Sequence, residues 1–116
     1  MKKNMLAGAV LLLTAIAGFT IPPVEAATLS FDVGRILKLG TYADFGNGDV
    51  GIWVEHATST CEGFWFRTTE TNGKEIYAQL LAAQMSQKPM RLHARDDLLW
   101  SATASRFCKL SLVIDP

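Results

Sequence analysis

The hydrophobic rhythm of this chain changes several times, and each change marks an element. Leu6 to Phe19 is an almost unbroken apolar run without a charge, preceded by Lys2 and Lys3 and followed by the helix-breaking pair Pro22-Pro23. From Leu29 the pattern alternates. Leu29, Phe31 and Val33 oppose Ser30 and Asp32, the period of a half-buried strand. Gly34 interrupts it and the apolar set resumes at Ile36, Leu37 and Leu39. A glycine inside a strand pattern marks a bulge or sharp bend, so Leu29 to Tyr42 predicts one long, bent strand. Gly46-Asn47-Gly48-Asp49 is a turn, built from residues that tolerate positive φ. Val50, Ile52 and Val54 then alternate with Gly51, Trp53 and Glu55. After the polar connection Thr58-Ser59-Thr60, Phe64 and Phe66 alternate with Trp65 and Arg67. These elements predict an antiparallel meander.

The period then lengthens. From Lys74 to Gln87, Ile76/Leu80, Tyr77/Leu81 and Leu81/Met85 pair at i, i+4, with alanines between them, which predicts a helix of about 14 residues. Asn72, three residues before Glu75, reads as a variant capping box, and Lys88-Pro89 stops the helix. Met90, Leu92 and Ala94 alternate with Arg91, His93 and Arg95 in the next strand. Asp96 to Arg106 reads as a loop carrying Leu98, Leu99 and Trp100. Phe107 to Ile114 is the last strand, with Cys108, Leu110, Leu112 and Ile114 on its core face. The expected core holds Leu80, Leu81, Ile52, Val54, Phe64, Phe66, Leu92, Leu110 and Leu112. The order β-β-β-α-β-β is that of a small, mainly β domain with one helix, the five-stranded OB-fold barrel. The alternative is an open α+β sandwich with the helix on one face.

The N-terminal pattern changes how the composition is read. A positive n-region, an apolar run of about 14 residues and small residues at Val24-Glu25-Ala26 make a cleavable signal peptide over 1–26, cut between Ala26 and Ala27. The run is short of the roughly 20 residues of a membrane span. The mature protein is then a single domain over 27–116, secreted or periplasmic and without a membrane anchor. Removing Lys2, Lys3 and Glu25 from the 11 basic and 11 acidic residues leaves 9 and 10, a net charge near −1. Such a domain has no general electrostatic pull on nucleic acid. Its two cysteines, Cys61 and Cys108, pair by default in an exported protein. On the chain-entropy model, closing that loop stabilises the fold by about 4 kcal/mol.

The second half of the chain adds a resemblance. The run Gly73-Lys74-Glu75-Ile76-Tyr77-Ala78-Gln79-Leu80-Leu81-Ala82-Ala83-Gln84, then Gln87-Lys88-Pro89-Met90-Arg91-Leu92-His93, then Trp100 and Cys108, is similar to the B subunits of AB5-type toxins of the subtilase-cytotoxin and pertussis-like group. The resemblance covers about half of the mature chain and implies an OB-fold, export, and a ring of five subunits that binds cell-surface glycans. It transfers no glycan-binding residue, because the first half of the chain does not share it.

Candidate chemistry is sparse. His56 and His93 lie far apart and have no third partner at metal-ligand spacing, Asp96-Asp97 reads as a solvated turn, and no Gly-x-Ser-x-Gly elbow is present. The expectation is a protein that is not an enzyme and uses no metal or cofactor. Trp53, Trp65 and Trp100 are the candidate contacts. Either they stack outward on a sugar face or a protein partner, or they complete a second small core. Arg91, His93 and Arg95 share one strand face, which either holds an acidic ligand or is simply solvated. Two functions follow: a binding domain for a glycan or protein, as a homo-oligomer (a pentamer if toxin-like), or a small envelope protein with a structural or inhibitory role.

Overall fold

The computed structural model describes residues 28–115. The signal-peptide reading and its cleavage point lie outside the described residues. Six strands and one helix follow in the order β1 (Leu29–Gly34), β2 (Ile36–Thr41), β3 (Asp49–Val54), β4 (Gly63–Arg67), α1 (Gly73–Ser86), β5 (Met90–Leu99) and β6 (Phe107–Ile114). Among the described residues the fold is mainly β with one helix, as the rhythm predicts. All six strands join one sheet in the order β1-β5-β6-β4-β3-β2. Neighbours are antiparallel except β4 and β6, which run parallel.

Six strands stand where five were expected because the long first strand breaks at its glycine. Gly34 adopts φ +69°, and a β-carbon there would sit 2.6 Å from Glu55 Oε1 and 2.7 Å from His56 Cδ2. Only glycine takes this left-handed conformation cheaply and leaves that space. The chain turns at Gly34-Arg35, so β1 pairs with β5 and β2 pairs with β3. At the bend, the Val33 carbonyl accepts from His56 N at 2.9 Å and the Arg35 carbonyl from Glu55 N at 3.0 Å.

The main core collects one face of every strand: Val33, Ile36, Val50, Ile52, Val54, Phe64, Phe66, Leu92, Ala94 and Leu110. Cys61 and Cys108 are bonded within it, Cα to Cα 5.5 Å, and tie the approach to β4 to β6. Helix α1 closes the core with Leu80 and Ala83, and Ile76 and Tyr77 pack at its margin. Gln87 ends it in a left-handed cap whose N–H reaches the Ala83 and Gln84 carbonyls, a helix stop of the usual geometry.

Four expectations need correction. Leu81 is exposed, because a helix lying on a sheet buries one stripe, and the stripe here is Ile76, Leu80 and Ala83. Asn72 makes no side-chain cap bond; it sits at φ 60°, whereas a capping side chain reaches the first turn from extended backbone. Leu112 is 45% exposed while Val113 is buried. The cause is a bulge: His93 pairs with Leu112 but Ala94 pairs with Leu110, so Ser111 is an extra residue in β6. One extra residue moves every later side chain to the opposite face. Finally, β5 continues to Leu99, and the loop is confined to 100–106. Asp96 to Leu98 form a second irregularity, between the pairs Arg95–Lys109 and Leu99–Cys108.

Candidate functional site

The strand faces turned away from the main core carry the tryptophans of β3 and β4 and Phe107 of β6. Because side chains alternate, Asp49, Gly51 and Trp53 of β3 share this face with Gly63, Trp65 and Arg67 of β4 and with Phe107 and Lys109 of β6. Trp65, Trp100 and Phe107 form a second buried cluster, with Trp53 and Ala102 packed against it. Trp65 and Trp100 are each 4% exposed, so of the two alternatives the sequence left open, these two complete a second small core. The reason is the loop 100–106: it folds back over β3 and β4 and stacks the Trp100 ring on Trp65, planes 9° apart and centroids 6.4 Å apart. The Trp65 indole N–H donates to the Leu98 carbonyl at 3.1 Å, which anchors the irregular end of β5 to the same cluster. Sequence alternation placed Trp53 and Trp65 on the strand faces away from the main core and left Trp100 in a loop. It could not show that Trp100 would be laid on Trp65.

Asp49 organises this cluster. Its side chain is fully buried. The carboxylate accepts from the Trp100 indole N–H at 2.9 Å, from Arg67 Nε at 2.8 Å and from the Asn47 backbone N–H at 3.2 Å. Burial alone pushes its carboxyl up, but these hydrogen bonds and the Arg67 charge outweigh it, and the net displacement is below the ordinary value. Asp49 therefore fastens the 42–48 turn, strand β4 and the 100–106 loop to one point. Gly51 supplies the floor, since a β-carbon there would meet Trp100 Cζ3 at 2.5 Å. Neither residue was a sequence candidate. The available signal was an acidic side chain at the start of β3, on the same face as Trp53.

Beside this hub lies a groove of about 180 Å³ lined by Gly40, Thr41, Tyr42, Trp53 and Trp100. The Tyr42 ring meets Trp100 edge-on at 5.6 Å and Phe45 at 5.1 Å. Trp53 is half-buried, backed edge-on by Phe107 at 5.2 Å, and the Lys38 ammonium stands 4.6 Å from its ring centroid. The groove thus offers aromatic side chains, the hydroxyls of Thr41 and Tyr42, and one nearby cation. The basic strand does not join it. Arg91 pairs with Asp32 at 2.7 Å, Arg95 pairs with Asp97 at 3.0 Å, and His93 is half-buried opposite Ser30 and Leu112. An acidic ligand there would compete with carboxylates already in place.

A larger hollow, about 340 Å³, lies at the Gly34 bend between Asp32, Glu55, His56, Pro89, Met90 and Arg91. Its charges are also paired. Arg35 holds Glu55 through Nε, Nη2 and its own backbone N–H, which lowers the Glu55 carboxyl to about 2. Among the described residues, no three His, Cys, Asp or Glu side chains converge as metal ligands would, and no helix is long and apolar enough to cross a membrane.

Fold and site together define a disulfide-bonded, mainly β domain with an aromatic groove on its outer face. Comparison with protein-family models, with curated proteins and with solved structures finds no match to this chain. The resemblance to toxin B subunits therefore rests on the residues quoted for it and on nothing else.

Proposed function

We propose that this is an exported, non-enzymatic binding domain that takes a sugar ring or an apolar protein side chain in the groove between Tyr42, Trp53 and Trp100. One observation carries the reading: the groove lies on β3, between the 42–48 turn and the 100–106 loop. In OB-type barrels, the corresponding strands and loops bind oligosaccharides and oligonucleotides. The barrel reading is supported by the joining of the sheet's two end strands, β1 and β2, through Arg35 alone. β1 and β2 end the six-stranded sheet without pairing to each other; on the barrel reading they count as one bent strand, which gives five. Near-neutral charge favours a sugar or protein over a nucleic acid. A flat indole and the apolar face of a sugar exclude water from each other, and the Thr41 hydroxyl and Lys38 can orient polar groups around them.

Export is supported by the N-terminal pattern and by the Cys61–Cys108 bond, which belongs to an oxidising compartment; the periplasm or the medium is the proposed location. The toxin-like pattern adds glycans as the first ligands to try. The second reading, a small envelope protein without a small ligand, is favoured by the burial of Trp65 and Trp100 as packing residues. A glycan array probed with the exported protein separates the two. The binding reading expects selective retention of a related set of glycans, lost in Trp53→Ala. Failure to retain any glycan, with no protein captured from the envelope, would leave the structural reading.

A further inference from the structure

Helix α1 carries a second apolar stripe that the domain itself does not use. Ile76, Leu80 and Ala83 face the core. On the opposite side Ala78, Leu81, Ala82 and Met85 are all exposed, with Met85 at 77%. Their spacing, i, i+3, i+4 and i+7, is that of a helix face which ordinarily meets another element. The two ends of the stripe differ in charge. Lys74, one turn before Ala78, sits in the first turn of its own helix, where the macrodipole disfavours a cation. The last turn contains no basic residue, and just beyond it Asp115 is held by Lys88 at 2.8 Å.

We propose that this stripe pairs with the same stripe of a second copy, antiparallel, about a two-fold axis between Leu81 and Ala82. The pattern is self-complementary in that arrangement. Met85 of one copy lies over the small Ala78 of the other, and Leu81 lies over Ala82, so large side chains fall on small ones along the seam. Lys74 reaches the C-terminal carbonyls and Asp115 of the second copy, where a cation is favoured, and Glu75 falls toward Lys88. A parallel pair would instead set Met85 on Met85 and Lys74 beside Lys74. The helix is about 21 Å long. A seam of that length buries less than the roughly 800 Å² per partner of a standard interface, so the dimer is a weak one. The proposal does not depend on the groove having a ligand, and its two-fold geometry is distinct from the five-fold ring that the toxin resemblance implies.

The test uses protein expressed from its full sequence and purified as the cell processes it. Sedimentation equilibrium should show a monomer–dimer equilibrium, with association at least tenfold weaker in Met85→Lys and in Lys74→Glu, and restored in Lys74→Glu/Asp115→Lys. All three positions are exposed, so the unfolding midpoint at low protein concentration should not fall in the single variants, and Lys74→Glu, an acid in the first helical turn, should raise it slightly. Orientation is read by cross-linking, since Cys61 and Cys108 are already bonded to each other. Ala82→Cys, next to the axis, should oxidise to a disulfide-linked dimer, whereas Ala78→Cys, about 10 Å from its own copy along the seam, should not. A protein that stays monomeric up to millimolar concentration overturns the proposal. So does equal self-cross-linking at positions 78 and 82, which marks parallel helices, as in a ring.

Discussion

Replacing Asp49 with asparagine keeps its shape and removes its charge, and the structure sets the cost. The carboxylate accepts on both oxygens: Oδ1 takes Arg67 Nε and the Asn47 N–H, and Oδ2 takes the Trp100 indole N–H. An amide has one acceptor. If its oxygen faces Arg67 and Asn47, its NH2 confronts the indole N–H, donor against donor. If it is flipped, Arg67 and Asn47 lose their acceptor instead. Either way a buried donor is left unpaired, at about 1–3 kcal/mol. Losing the charge on the Arg67 pair adds about 1 kcal/mol, kept low because that arginine is partly solvated. Asp49→Asn should therefore destabilise by about 2–4 kcal/mol, a large share of what a domain of this size has. Urea unfolding followed by tryptophan fluorescence measures it, and near-UV circular dichroism should weaken as Trp100 loses its fixed orientation. The mechanism is isolated by repeating the change in Trp100→Phe, which lacks the indole N–H. There Asp49→Asn should cost about 1–2 kcal/mol less. A cost below about 0.5 kcal/mol in the native background, or equal costs in the two backgrounds, would refute the role given to Asp49.

Three further outcomes follow from the packing. Changing Cys61 and Cys108 together to alanine opens the cross-link between residues 47 apart and should lower the denaturation free energy by about 4 kcal/mol on the chain-entropy model, as read from urea midpoints with and without reductant. Leu112→Ser should change stability by less than about 0.5 kcal/mol while Val113→Ala costs on the order of 2 kcal/mol; the reverse ranking would remove the bulge at Ser111. Glu55, at about 2 against an ordinary 4.5, binds fewer protons folded than unfolded in that interval. Its contribution is therefore complete above pH 4.5 and lost as pH falls toward about 2. Asp49 acts with the same sign. Stability should decline over that window, and less steeply in Glu55→Gln.

The elements were legible because their periods differ. Alternation from Leu29, from Val50 and from Gly63, and the i, i+4 pairs of the helix, put strands and helix where they lie. The bend at Gly34 and the pairing of Cys61 with Cys108 were also legible, since a glycine within a strand and two cysteines after an export-type leader have few other uses. What stayed hidden depended on a single residue or on long-range cover. One extra residue, Ser111, reversed Leu112 and Val113, and nothing in the alternation announces it. Trp65 faced away from the main core on its strand, and it is buried because Trp100, 35 residues further along the chain at the start of the 100–106 loop, stacks on it. Asp49 could be seen as part of a turn, but not as the acceptor for an indole 51 residues away. Arg91 and Arg95 could be read as an anion site or as a solvated strand face, and their partners, Asp32 and Asp97, were not visible in the sequence.

The claim that the groove is the binding site is tested most directly by the three indole N–H resonances in a two-dimensional NMR spectrum. The titrant is the glycan retained most strongly by the array. Trp53 and Trp100 line the groove, whereas the Trp65 indole is turned to the Leu98 carbonyl. The account predicts saturable shifts of the Trp53 and Trp100 signals, a Trp65 signal that moves far less, and no binding in Trp53→Ala. Saturable binding that leaves Trp53 and Trp100 unmoved while shifting the amides of Arg91, His93 and Arg95 would place the site on β5 and contradict it.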